Sequence, residues 1–136
     1  MPAHLTLFHH LPPSIADELD TRLKAATRGV AAPSATMLGA MSLGRGVALR
    51  VRSDALADIR QDLAEAFAGM LTPQDNAGWR PHVTIQNKVE PAVAKALHVA
   101  LSGQFATPRP LAITGLTSWR YLGGPWEAIR RYRFGA

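Results

Sequence analysis

Cysteine is absent from the 136 residues. That excludes a disulfide framework, a thiolate zinc site and a cysteine nucleophile at once. There is no run of about 18 apolar residues, so no transmembrane helix is expected. The opening Met1-Pro2-Ala3-His4 has neither a basic region nor an apolar stretch. No secretory signal is therefore expected, and the expected compartment is cytoplasmic. Charged residues make up only 18% and aromatics 7%, against 47% hydrophobic. This is the balance of an ordinary globule rather than of a disordered chain. The length suits a single domain, 1–136, that buries about two-thirds of its unfolded surface without staples.

Acid is the scarcer charge. Ten acidic residues stand against fifteen basic ones, a net +5, and twelve of the fifteen are arginine. Such a balance favours anionic partners: nucleic acid, nucleotides or membrane surfaces. An Ala- and Arg-rich, Lys-poor composition also follows from a GC-rich genome, so distribution says more than total. Seven of the ten acids lie within Asp17 to Asp20 and Asp54 to Glu65, both with helical patterning. From Arg109 onward there are five arginines and one acid, Glu127.

The patterning alternates between two periods. His4 to Phe8 reads as a strand. Pro12-Pro13-Ser14 ends it, and Ser14 with Asp17 forms a candidate capping box. The helix that follows carries Ile15, Leu19 and Leu23 on one stripe and ends before Gly29 and Pro33. Thr36 to Leu43 and Gly46 to Arg52 read as a hairpin around Gly44-Arg45-Gly46. Ser53 caps a second helix with Leu56, Ile59, Leu63, Phe67 and Met70 at helical period. Thr72 to Trp79 reads as a polar loop and Pro81 to Gln86 as a strand. Pro91 opens a third helix, with Val93, Leu97 and Leu101 as its buried stripe. Leu111 to Tyr121 and Trp126 to Phe134 read as two long strands around Gly123-Gly124-Pro125. Hairpins mixed with crossover helices make the fold class α+β, with a mixed or antiparallel sheet.

One loose repeat carries the chemistry. His4-Leu5-Thr6-Leu7 and His82-Val83-Thr84-Ile85 share the order histidine, apolar, threonine, apolar. On a strand, residues two apart share a face. Each motif then presents an imidazole beside a hydroxyl, with its apolar residues turned to the core. Two imidazoles that titrate near neutrality can take one proton and give another. Two hydroxyls can donate to phosphoryl oxygens where charge builds. This is a kit for phosphodiester chemistry that needs no metal and no cofactor. A lone His-x-Thr arises often by chance; two on strands do so less.

His4-Leu5-Thr6-Leu7-Phe8 and Arg80-Pro81-His82-Val83-Thr84-Ile85 resemble the two signature motifs of the 2H phosphoesterase superfamily. Its members include bacterial 2′-5′ RNA ligases and RNA 2′,3′-cyclic phosphodiesterases. The tail from Trp119 to Trp126 is similar to the end of bacterial 2′-5′ RNA ligase-like members. The resemblance implies a bilobal α+β domain over residues 1–136, its two pseudo-symmetric lobes flanking a basic groove. It implies His4 and His82 as acid and base, in an order left open, and Thr6 and Thr84 as phosphoryl-oxygen ligands. It also implies a strand and helix ahead of the first motif; with His4 as the fourth residue, the expectation is a fold without that first strand and helix.

Around these four stand weaker candidates. Trp119, Tyr121, Arg120 and Arg130 interleave aromatic faces with guanidinium groups, a pattern that suits bases and phosphates. The alternative is that Trp119 and Tyr121 simply build the core. Arg80 adjoins the second motif, and Gln86 falls on the face of His82 and Thr84 if the strand is regular. His9 and His10 match no metal-ligand spacing and read as solvated turn residues near the groove. The expected activity is hydrolysis of a 2′,3′-cyclic phosphate, or making and breaking a 2′-5′ linkage, at an RNA end. The alternatives are a non-catalytic RNA- or nucleotide-binding module and a phosphodiesterase for a small cyclic-phosphate metabolite. The expected partners are RNA ends or cyclic-phosphate nucleotides, with no membrane and a monomeric state.

Overall fold

The computed structural model describes residues 3–135. Every strand pairing in it is antiparallel. Four strands form one sheet in the order β3-β2-β1-β4: β1 (Ser34–Ser42), β2 (Val47–Arg52), β3 (His82–Gln86) and β4 (Arg109–Ala112). The remaining two, β5 (Gly115–Tyr121) and β6 (Trp126–Arg133), form a separate ribbon. Four helices accompany them: α1 (Ala16–Thr27), α2 (Asp54–Ala66), α3 (Pro73–Asn76) and α4 (Pro91–Gln104). Among the described residues no helix is long and apolar enough to cross a membrane.

The hairpin β1–β2 forms as patterned, with Leu43 N–H donating to Gly46 O at 2.9 Å across the turn. Gly44 takes a φ of 80°, a left-handed conformation that suits glycine. On β2, Val47, Leu49 and Val51 point to one face and are buried, while Arg50 and Arg52 alternate outward. Helix α4 lies against β1 and β2. Its buried residue is Ala94, and Val93 is exposed. Small Ala94 lets the helix sit close to the sheet; Leu97 and Leu101 are half-buried on the expected stripe, and Ala94 takes the place of Val93 at its start.

Helix α2 starts as expected, with Ser53 Oγ accepting the Leu56 N–H at 3.2 Å. Its stripe of Leu56, Leu63 and Phe67 is buried with Ile15 and Leu23 from the α1 side and Leu116 and Tyr132 from the ribbon. Each such side chain contributes about 1.5–3 kcal/mol. Met70 lies beyond the helix and is exposed.

Four expectations change. The segment from His4 to Phe8 is not a strand: among the described residues one antiparallel bridge, Leu5 to Val83, is its sole ladder contact. Ser14 caps nothing. Pro13–Ile15 is a single 3-10 turn, and Ile15 occupies the cap position of α1 without a side-chain bond. The loop after Thr72 contains α3, capped by Thr72 Oγ1 accepting the Asp75 N–H at 3.2 Å. The run from Leu111 to Tyr121 breaks at Ile113 and Thr114, so β4 completes one sheet and β5 begins the other.

Candidate functional site

The second motif is built into the sheet. In the β2–β3 register His82 lies opposite Arg50, Val83 opposite Leu49 and Thr84 opposite Ala48. His82 and Thr84 therefore share the outward face with Arg50. Gly39 of β1 lies opposite Arg50 in turn, and a side chain there would meet its guanidinium. Arg50 is exposed and, among the described residues, forms no ion pair. His82 Nδ1 lies 2.8 Å from the Arg80 carbonyl oxygen. A carbonyl only accepts, so Nδ1 carries a proton and Nε2 is the nitrogen left for chemistry.

The strand is not regular beyond Thr84. The register shifts between Val47 and Ala48, so Gln86 pairs with Val47 and Ile85 is left over. One extra residue on a strand reverses the faces that follow it. Gln86 thus sits on the Val47 side, away from His82 and Thr84, and its Oε1 is buried without a partner. Ile85, expected in the core, is exposed.

The first motif is held differently. The Leu5–Val83 bridge runs antiparallel, which sets Thr6 alongside His82 and His4 alongside Thr84. Leu5, Leu7 and Phe8 pack against the core. The backbone is tied down by side chains from elsewhere. Trp79 Nε1 donates to Thr6 O at 3.0 Å. Arg60 Nε donates to Leu7 O at 3.0 Å and its other arm to Asp75 O at 2.7 Å. The Arg60 guanidinium also lies over the Phe8 ring, 4.6 Å from its centre. Asp75, 2% exposed, accepts the N–H groups of His9 and His10 at 2.8–3.0 Å and His9 Nδ1 at 3.1 Å.

These contacts explain the charge states. Burial alone would raise the Asp75 carboxyl, but the N–H donors of His9 and His10 and the His9 ring outweigh it and hold it below its ordinary value. Burial lowers the Arg60 guanidinium, partly opposed by Asp75. A pocket of about 170 Å³ lies here, and its lining includes Thr6, His82, His9, Arg80, Gln74 and Trp79. From the two motifs it takes in Thr6 and Leu7 on one side and His82 on the other, while His4 and Thr84 are not among its lining.

Residues 1–125 match a family model described as the 2′-5′ RNA ligase superfamily. The chain belongs to this superfamily. The solved structure of TT0787 of Thermus thermophilus has the same fold, with a TM-score of 0.65 over 98% of this chain and 78% of that one. At 13% identity that likeness speaks for fold alone. Among curated proteins none matches. Membership bears out the resemblance carried by the two His-x-Thr motifs and places the activity in the phosphoesterase or ligase kind.

In this 2′-5′ RNA ligase superfamily member the four ribbon candidates are not among the residues lining the pocket. Trp119 and Tyr121 share the face opposite Leu116 and Tyr132, which supply the core contacts. Tyr121 stacks on Trp126 with ring centres 4.9 Å apart. Arg120 lies 3.9 Å from Glu127 across the ribbon. Arg130 reaches Asp20 of α1 at 3.3 Å and covers the Tyr132 ring. Tyr132 also donates to Asp20, and this bond with the Lys24 contact holds the Asp20 carboxyl low. Burial and Asp20 push the Tyr132 hydroxyl up.

Four side chains at the site escaped the patterning. Arg60 sits on the apolar stripe of α2, and a base at a core position was a visible signal. Asp75 follows Thr72-Pro73, a helix-start pattern short enough to pass for a loop. His9 gains its partner only through Asp75, 66 residues away. Arg50 becomes notable only once β2 pairs with β3.

Proposed function

We propose that the chain is a metal-independent phosphoesterase for RNA ends that hydrolyses a 2′,3′-cyclic phosphate, with the 2′-5′ linkage as the related reversible substrate. The single observation that supports this is the Leu5–Val83 bridge, which aligns one His-x-Thr motif beside the other. One imidazole takes a proton from water as its oxygen attacks phosphorus. The bond from phosphorus to a ribose oxygen breaks, and the other imidazole gives that oxygen a proton. Turnover leaves the two histidines with exchanged protonation states, and proton exchange with solvent restores them. The Thr6 and Thr84 hydroxyls donate to the non-bridging oxygens, which gain charge in the transition state. For His82 the working atom is Nε2, because Nδ1 is spent on the Arg80 carbonyl.

A panel of nucleoside and oligonucleotide 2′,3′-cyclic phosphates and 2′-5′-linked dinucleotides tests this. Turnover is expected to persist in EDTA and to vanish in His82→Ala and His4→Ala while the melting temperature is kept. Undiminished turnover by purified His82→Ala would sink the proposal. Tight binding without turnover by the parent protein would favour the binding-module alternative.

A further inference from the structure

His9 is not a plain turn residue. Its Nδ1 lies 3.1 Å from Asp75 Oδ1, and the Asp75 side chain is 1% exposed while that of His9 is 49% exposed. An ionised carboxylate only accepts, so Nδ1 carries the proton. The ring is thereby fixed in one orientation, with Nε2 on its opposite edge, and as the imidazolium it donates from that edge too, with Asp75 as the counter-charge behind it. A buried carboxylate behind a half-exposed imidazole is a costly arrangement for a turn, which solvent would satisfy without it.

The surroundings indicate what Nε2 meets. His9 lines the same pocket as Thr6 and His82, with Arg80 and Gln74 also on its wall. The one carboxylate there, Asp75, is consumed by the His9 and His10 N–H groups and the His9 ring. Arg60 is likewise consumed, by the Leu7 and Asp75 carbonyls. What remains on the wall beyond Thr6 and His82 is donor-rich: Arg80, the Gln74 amide and the imidazolium form of His9. Such a wall suits an anion.

We propose that this pocket takes a second phosphate, the one on the 5′ side of the terminal nucleotide, and that His9 Nε2 contacts it. The substrate class is then a nucleotide carrying a 5′-phosphate or an internucleotide phosphate, in preference to a bare nucleoside cyclic phosphate. The inference rests on the functional reading given above, since that reading puts the reacting phosphate between the two motifs. Asp75 acts through His9 as a positioning residue.

Binding of product-like ligands separates the two ideas. Adenosine 2′-phosphate and adenosine 2′,5′-bisphosphate are titrated calorimetrically into the parent protein, His9→Asn and His9→Gln. Asparagine keeps an N–H near the Nδ1 position for Asp75 and removes the Nε2 edge, so the fold has its bond. Glutamine places an amide near Nε2 instead. The parent is expected to bind the bisphosphate about tenfold more tightly than the monophosphate, the scale of one charge-assisted hydrogen bond. His9→Asn is expected to bring that ratio close to one, and His9→Gln to restore part of it. An equal ratio in parent and His9→Asn, or no preference in the parent, would overturn the subsite. Cyclic-phosphate turnover by the parent is read separately: its absence overturns the functional reading and leaves the binding ratio to judge the pocket.

Discussion

The indole N–H of Trp79 donates to the carbonyl oxygen of Thr6 at 3.0 Å, spanning 73 residues of sequence. Thr6 is the hydroxyl-bearing residue of the first motif, and Trp79 lies three residues before His82. One bond therefore couples the approach to the second motif with the backbone of the first. Trp79→Phe keeps an aromatic ring near Arg60 and removes only the donor. We expect a loss of about 1 kcal/mol in urea unfolding and a severalfold lower kcat with KM little changed. An equal kcat in the variant would show that the bond does not position Thr6.

Asp75 makes stability depend on acid. Its folded pKa lies below the ordinary 3.8, so its contribution is fully present above that value. As pH falls through the lower folded value the contribution is lost. The parent protein should therefore melt above Asp75→Asn near neutrality, and the gap should narrow on the acid side of 3.8. Melting curves taken from neutral pH down into that range check it. A gap that stays constant throughout would mean that the carboxylate charge contributes nothing.

Arg50 stands opposite His82 on the outward face, exposed and, among the described residues, without an ion-pair partner. Its removal should be nearly silent for folding, within about 0.5 kcal/mol. For a cyclic-phosphate substrate Arg50→Ala should raise KM by about tenfold, as expected for a lost charge-assisted contact. Unaltered steady-state kinetics would mean that the guanidinium does not reach the substrate.

Gly46 is required by close approach rather than by its φ. A Cβ there would overlap the Gln86 carbonyl oxygen and fall 2.7 Å from the Asn87 Cα. Both are backbone, so neither can swing aside. Gly46→Ala should cost about 2–3 kcal/mol and loosen β3, carrying His82 and Thr84 with it. Denaturant midpoints and turnover should fall together; a midpoint equal to the parent's would contradict the contact.

The local chemistry of this chain was readable where periodicity and caps decide structure. Ser53 with its apolar stripe, the glycine turn between β1 and β2, and Pro91 at the head of α4 all follow from near neighbours in sequence. The two His-x-Thr motifs were readable for the same reason, as short patterns with a chemical logic. What escaped depends on distant partners. The segment around Thr6 has strand-like composition, yet beyond the single Leu5–Val83 bridge its backbone is held by Trp79, Arg60 and Asp75 rather than by a strand ladder. Gln86 leaves the expected face because of a register shift that only the pairing of β2 with β3 reveals. The contacts of Arg120 with Glu127 and of Arg130 with Asp20 likewise depend on partners that only the fold brings near.

The two halves of the candidate centre differ in how they are anchored. His82 and Thr84 belong to a four-stranded sheet and lose their places only when that sheet does. The segment carrying His4 and Thr6 meets the sheet through the single Leu5–Val83 bridge and is pinned further along by Trp79 at Thr6, Arg60 at Leu7 and Asp75 at His9 and His10. Releasing those pins dismantles the centre while the sheet stays whole. Amide hydrogen exchange should accordingly be faster at Leu5 and Thr6 than at Val83 and Thr84. The fraction of molecules competent for turnover is then set by a local latch, at temperatures well below global melting.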